Sequence, residues 1–177
     1  ITVRNNNIEG FNRVQILVTS SYYDDGWKTE YIKNALVEGN YGRNALGYSA
    51  IYIQGASGIV RDNVVENAPR AIQIQPYANT GTGTVENNTL SAYWTGIFYN
   101  GAEKAAGKWE ILNNTITATE GTMGSTPVYT NETWAGLEVI GLKSNEGVLF
   151  SGNKIDGQGA TGITRGIAMV SGIADTA

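Results

Sequence analysis

Glu138 sits between two aliphatic residues in Leu137-Glu138-Val139, so it is an acid on the outward side of an alternating stretch. A carboxylate there is half of the equipment for glycoside hydrolysis, which uses two carboxylates about 5–10 Å apart. No second acid holds an equivalent position, which leaves Glu138 as the leading candidate acid. Asp24 and Asp25, in "YYDDGW", form a second acidic group with Glu30 nearby. Three carboxylates of this kind are a set that Ca²⁺ accepts. The same residues also read as a solvated turn before Gly26. The chain has no histidine and no cysteine, so the commonest general base, thiol nucleophiles and disulfides are excluded. No cofactor is required beyond the Ca²⁺ that the acidic loop would take.

Residues suited to contacting a sugar are more numerous than residues suited to cleaving one. Tyr52, Gln73 and Phe98 each lie between two apolar residues, like Glu138. Two residues further on come Gln54, Gln75 and Asn100. Tyr23, Trp27, Trp94 and Trp134 lie in the flanking segments. Amides pair with hydroxyls, and flat rings cover the CH faces of sugars. Some of these rings are also suited simply to pinning their own loops to the body of the protein.

The elements that position these residues repeat. The pattern apolar-x-x-Asn-x-aliphatic fits VRNNNI (3–8), YIKNAL (31–36), VRDNVV (60–65), VENNTL (85–90), ILNNTI (111–116) and FSGNKI (150–155). Its asparagines are Asn6, Asn34, Asn63, Asn88, Asn114 and Asn153, separated by 25 to 39 residues. YGRNAL (41–46) also matches but is out of step. An aliphatic pair with one residue between follows each motif, beginning at Val14, Ile51, Ile72, Ile97, Leu137 and Ile167. Alternation of this kind marks a strand with one buried face. No window sustains helical spacing. A β-sandwich needs no asparagine per period, and propeller blades would be more even in length.

This repeat resembles the right-handed parallel β-helices of the pectate-lyase-like superfamily, over nearly the whole chain. The resemblance implies an all-β solenoid of about six coils, with residues 1–177 as a single domain. The six asparagines then fall in one column at the same bend, where their amides form a ladder. The predicted inward columns are Val3, Tyr31, Val60, Val85, Ile111, Phe150 and Ile8, Leu36, Val65, Leu90, Ile116, Ile155. The resemblance also implies a carbohydrate groove along the aliphatic-pair strands. Lyase chemistry in such proteins needs clustered acids for Ca²⁺ and a basic residue. Arg13, Arg70 and Arg165 precede the pairs, but no acid cluster accompanies them. The histidine-bearing sites of related hydrolases and epimerases have no counterpart here.

The bulk composition limits partners. Of 177 residues, 41% are hydrophobic, which supports a core, and a net charge of −4 without a basic run argues against nucleic acid. No apolar stretch reaches the ~20 residues of a membrane span. The sequence opens at Ile1 without a signal-like segment, and the expectation is a piece of a longer chain. Its ends are expected to meet further coils, caps or other copies. The function expected is an extracellular, cell-surface or virion-surface scaffold, or a glycan-contacting module, with end-to-end stacking as one way such a module could assemble. The alternative is a polysaccharide lyase or glycoside hydrolase.

Overall fold

The computed structural model describes residues 1–19, 32–76, 82–101, 108–120, 133–142, 147–160 and 163–171. Among these residues every regular element is a strand, and every strand pair is parallel. One sheet contains β1 (Thr2–Arg4), β4 (Ile32–Glu38), β7 (Ala56–Arg61), β9 (Gly83–Glu86), β11 (Lys108–Leu112) and β14 (Gly147–Ser151), in that order. The other begins with β2 (Asn7–Glu9) and β5 (Tyr41–Arg43), and includes the twelve-residue strands β8 (Val64–Gln75) and β10 (Thr89–Asn100). Past them lie β12 (Thr115–Ala118) and β15 (Lys154–Asp156). The far halves of β8 and β10 also pair with β6 (Ser49–Gln54) and β13 (Thr133–Leu142). These extend to β3 (Val14–Thr19) and β16 (Ile163–Ser171).

Parallel pairing puts residues of successive passes directly beside one another, so side chains form columns. Val3, Val37, Val60, Val85, Ile111 and Phe150 are in register on the first sheet. Ile8, Gly42, Val65, Leu90, Ile116 and Ile155 are in register on the second. The central members of both columns are fully buried. Tyr31 lies outside the described residues, and Val37 holds the second place of the first column. Gly42 takes the place predicted for Leu36 in the second column, and Leu36 is instead aligned with Thr2 and Ile59.

That substitution follows from a correction to the asparagine column. Asn40, not Asn34, is its second member. Backbone N and side-chain Nδ2 of Asn6 both donate to Oδ1 of Asn40, at 3.1 and 2.8 Å. Asn40 does the same to Asn63, Asn63 to Asn88, Asn88 to Asn114 and Asn114 to Asn153, all between 2.9 and 3.0 Å. Each Nδ2 from Asn40 onward also donates to a carbonyl of the preceding pass, from Val3 O to Ile111 O. Asn40, Asn63, Asn88 and Asn114 are at most 2% exposed. Asn34 is exposed and lies where the register of β4 against β7 shifts, at φ +56°. The motif at 37–42 is VEGNYG, with glycine at its aliphatic position. Gln15 reaches into the space that Gly42 leaves, donating from Nε2 to Arg43 O at 2.7 Å.

The residue before each ladder asparagine makes the bend. Asn5, Gly39, Asp62, Asn87, Asn113 and Gly152 all have φ between +53° and +66°. Only Asn, Asp and Gly occur there, the residue types that adopt the left-handed region at least cost.

Charges flank the ladder in alternating columns. Arg4, Glu38, Arg61 and Glu86 are in register before the bend, with Arg61 bonded to Glu38 at 2.6 Å. Glu9, Arg43 and Glu66 are in register after it, with Arg43 bonded to Glu9 at 2.7 Å. The hydrogen bond from Arg43 lowers the Glu9 carboxyl below its ordinary value. Its contribution to stability is therefore present above the ordinary carboxylate range and lost as pH falls through the lowered folded value.

The ladder and the charge columns can be tested separately. Asn40→Ala should destabilise by about 1–3 kcal/mol, because the partner amides stay buried without it, whereas Asn34→Gly should change stability by less than about 0.5 kcal/mol. Urea denaturation of both variants checks this, and equal effects would contradict the ladder. Arg43→Ala should raise the Glu9 titration midpoint toward the ordinary value, read by carboxyl-carbon NMR. An unmoved midpoint would mean that Arg43 does not hold the carboxylate.

Candidate functional site

The outer face of β6, β8, β10, β13 and β16 carries the candidate site. One outward column runs Leu17, Tyr52, Gln73, Phe98, Glu138, Ala168. The inward columns beside it are Ile16, Ile51, Ile72, Ile97, Leu137, Ile167 and Val18, Ile53, Ile74, Tyr99, Val139, Met169. Val14 is therefore replaced by Ile16 as the first residue of the strand face. Both Val14-Gln15-Ile16 and Ile16-Leu17-Val18 alternate, and pairing with β6 selects the second. A further outward column runs Arg70, Thr95, Ala135, Arg165.

Among the described residues, these columns leave room for a ligand at one end. Near β8 the face is filled. Gln73 is fully buried, with Oε1 accepting from Ser49 Oγ at 3.0 Å and from Arg70 Nη1 at 3.1 Å. Its Nε2 donates to Tyr48 OH at 3.4 Å. The Arg70 guanidinium is enclosed by the rings of Trp94, Phe98 and Tyr48. Tyr52 is 9% exposed, and its hydroxyl is bonded to Gln75 Oε1. Gln54 Oε1 accepts from Thr19 Oγ1 at 3.2 Å. Gln73, Tyr52, Gln75 and Gln54 thus hydrogen-bond within the protein.

Toward β16 the side chains become small and a cleft opens, with a volume of about 230 Å³. Ala135 and Ala168 line it together with Phe98. Around them stand Tyr48, Arg70 and Trp94, with Asn100, Ile140, Glu138 and Arg165 completing the lining. Glu138 Oε2 accepts from Thr95 Oγ1 at 3.1 Å. Among the described residues Glu138 is the only acid in the lining, so the two-carboxylate geometry of glycoside hydrolysis is not assembled from them.

The predicted ligand-contacting residues therefore separate into three groups. Phe98, Trp94 and Asn100 line the cleft with Glu138. Tyr52, Gln73, Gln54 and Gln75 lie on the same face but outside the lining. Trp134 is a core residue, 2% exposed, and its indole N–H donates to Ala92 O at 2.9 Å. Its neighbour Ala135 faces the cleft, so strand alternation turns Trp134 inward. Tyr23 and Trp27, with Asp24, Asp25 and Glu30, lie outside the described residues. Among the described residues no group of three or more acids, histidines or cysteines could hold a metal ion. Arg70, Arg165, Ala135 and Ile140 belong to the site but were not among its predicted ligand contacts. Arg70 and Arg165 stand two residues before aliphatic pairs, the one sequence signal that marks them.

A larger hollow of about 570 Å³ lies on the first sheet, between Leu36, Ile59, Thr84, Lys108 and Glu110. Its described lining contains no aromatic ring. The smaller cleft combines rings, opposite charges and an amide, which is the composition of a specific binding site.

Compared with known protein families, characterised proteins and solved structures, the chain matches none.

Trp134→Phe should destabilise by about 1–3 kcal/mol, because Ala92 O loses its buried donor, and should leave ligand affinity at the cleft unchanged. Thermal denaturation with a parallel binding titration checks both parts.

Proposed function

We propose that the chain is a right-handed parallel β-helix module, a solenoid of about six coils like those of the pectate-lyase-like superfamily. In this reading it holds a saccharide in the cleft beside Glu138, as part of an extracellular or surface scaffold. The uniform parallel pairing, the asparagine ladder and the recurring left-handed bend support the solenoid. The observation that carries the binding function is the cleft itself. Rings of Tyr48, Trp94 and Phe98 line a volume with a small-residue floor, next to an amide and both signs of charge. Rings bury the apolar faces of a sugar, and Asn100, Glu138 and Arg165 supply donors and acceptors for its hydroxyls.

Glu138 favours a second reading, a polysaccharide lyase or glycoside hydrolase. A lone carboxylate beside a bound sugar would need a second acid or base from elsewhere in the protein.

Glycan-array binding followed by titration, with a parallel assay for reducing ends and unsaturated products, separates the two readings. The module reading expects binding without product. Ala168→Trp, which fills the cleft from its floor, should weaken binding at least about tenfold without lowering thermal stability. Product released by the native chain and abolished by Glu138→Gln, with binding retained, would establish the enzyme instead. Binding untouched by Ala168→Trp would remove the cleft from either reading.

A further inference from the structure

We propose that Arg70 sets the ligand class of the cleft, which takes uncharged sugar rings and rejects protonated amino sugars. This rests on the saccharide reading above and adds to it the charge of the sugar.

The Arg70 guanidinium carbon lies 3.8 Å from the centroid of the Trp94 ring, 4.1 Å from that of Phe98 and 5.0 Å from that of Tyr48. These are distances at which a cation is attracted by the negative face of a ring. The group is anchored, since Nη1 donates to Gln73 Oε1 at 3.1 Å, and Gln73 Oε1 also accepts from Ser49. Arg70 is 4% exposed and Gln73 0%, so turning the guanidinium out would break a bond between buried groups.

The three rings that hold Arg70 also line the cleft. A guanidinium on one face of a ring draws electron density toward itself. The opposite face then holds a second cation less well. The CH groups of a neutral sugar rely on contact area and dispersion, and lose little.

Net charge acts in the same direction. Arg165 is exposed and lies in register beyond Ala135, in the column that starts at Arg70. The described lining thus holds two guanidiniums against one carboxylate. One oxygen of that carboxylate already accepts the Thr95 hydroxyl. Among the described lining residues an ammonium group entering the cleft meets more positive charge than negative. Arginine stays protonated throughout the working range, so titrating the amine changes the charge of the sugar and not that of Arg70.

The test uses a panel of neutral oligosaccharides and the amino-sugar counterpart of each one that binds. The N-acetylglucosamine trimer and its deacetylated form are the first pair. Calorimetric titration is run where the amine is protonated and again where it is neutral. The neutral sugar should bind at least about tenfold tighter than the protonated one, and the gap should largely close once the amine loses its proton. Arg70→Met keeps aliphatic bulk without charge and should shrink the gap to about threefold. Arg70→Lys keeps the charge without the planar stack. It should retain the rejection while weakening neutral binding, and it serves if the methionine variant does not fold. Protonated amino sugars binding as tightly as neutral ones would overturn the role of Arg70 and leave the saccharide reading standing. That role is equally overturned if Arg70→Met preserves the full gap, or if Arg70→Lys abolishes the rejection. Binding of no saccharide of either kind would end both.

Discussion

The fold depends on how one buried corner satisfies its polar groups. At each ladder position from Asn6 to Asn114 a backbone N–H and a side-chain amide converge on a single asparagine oxygen of the next pass. The same side chain returns a bond to a carbonyl of the previous pass. At Asn40, Asn63, Asn88 and Asn114 these groups are buried, where an unmade bond would cost about 1–3 kcal/mol. Asparagine carries both an acceptor and two donors on a short stem, so one residue type satisfies both directions. Aspartate would supply acceptors only when ionised, and glutamine would not keep the same reach. Vertical register on both sides of the corner follows, because a slip by one residue would break every rung at once.

How far this was legible in the sequence depended on which constraint acted at each position. Asn6, Asn63, Asn88, Asn114 and Asn153 sit between apolar residues at fixed spacing, and the ladder hydrogen bonds fall on them. Asn40 was hidden because its aliphatic position is Gly42, a gap filled from elsewhere by Gln15. A pattern that demands a side chain cannot register one supplied by another strand. YIKNAL met the pattern at Asn34 because apolar residues at that spacing occur by chance in a strand-rich chain. The left-handed residue before each asparagine was the stronger signal. It is Asn, Asp or Gly in all six positions, including Gly39.

The site was partly legible for a related reason. Alternation assigns a residue to the outer face, but it does not say whether that face meets water. Gln73 points outward and is nonetheless fully buried, because Tyr48 and Arg70 are bonded to it there. Trp134 differs from its neighbour Ala135 by one position, and therefore by the whole width of the sheet. Cover supplied by a long arginine side chain has no period, so periodicity could not reveal it.

The cleft arises because the backbone repeats while the side chains do not. Parallel register holds neighbouring strands at a constant spacing of about 4.8 Å, so any hollow on the outer face must come from changes in side-chain size along a column. One column steps from Phe98 through Glu138 down to Ala168. The next steps from Arg70 through Thr95 down to Ala135 before rising again at Arg165. The small residues fall on neighbouring strands, Ala135 on β13 and Ala168 on β16, and both line the cleft. On one side the Arg70 guanidinium lies against the rings of both Phe98 and Trp94, which fixes the wall where the floor drops. The ladder thus defines the site indirectly, by holding the passes in a register where a few unequal side chains leave a volume of constant shape.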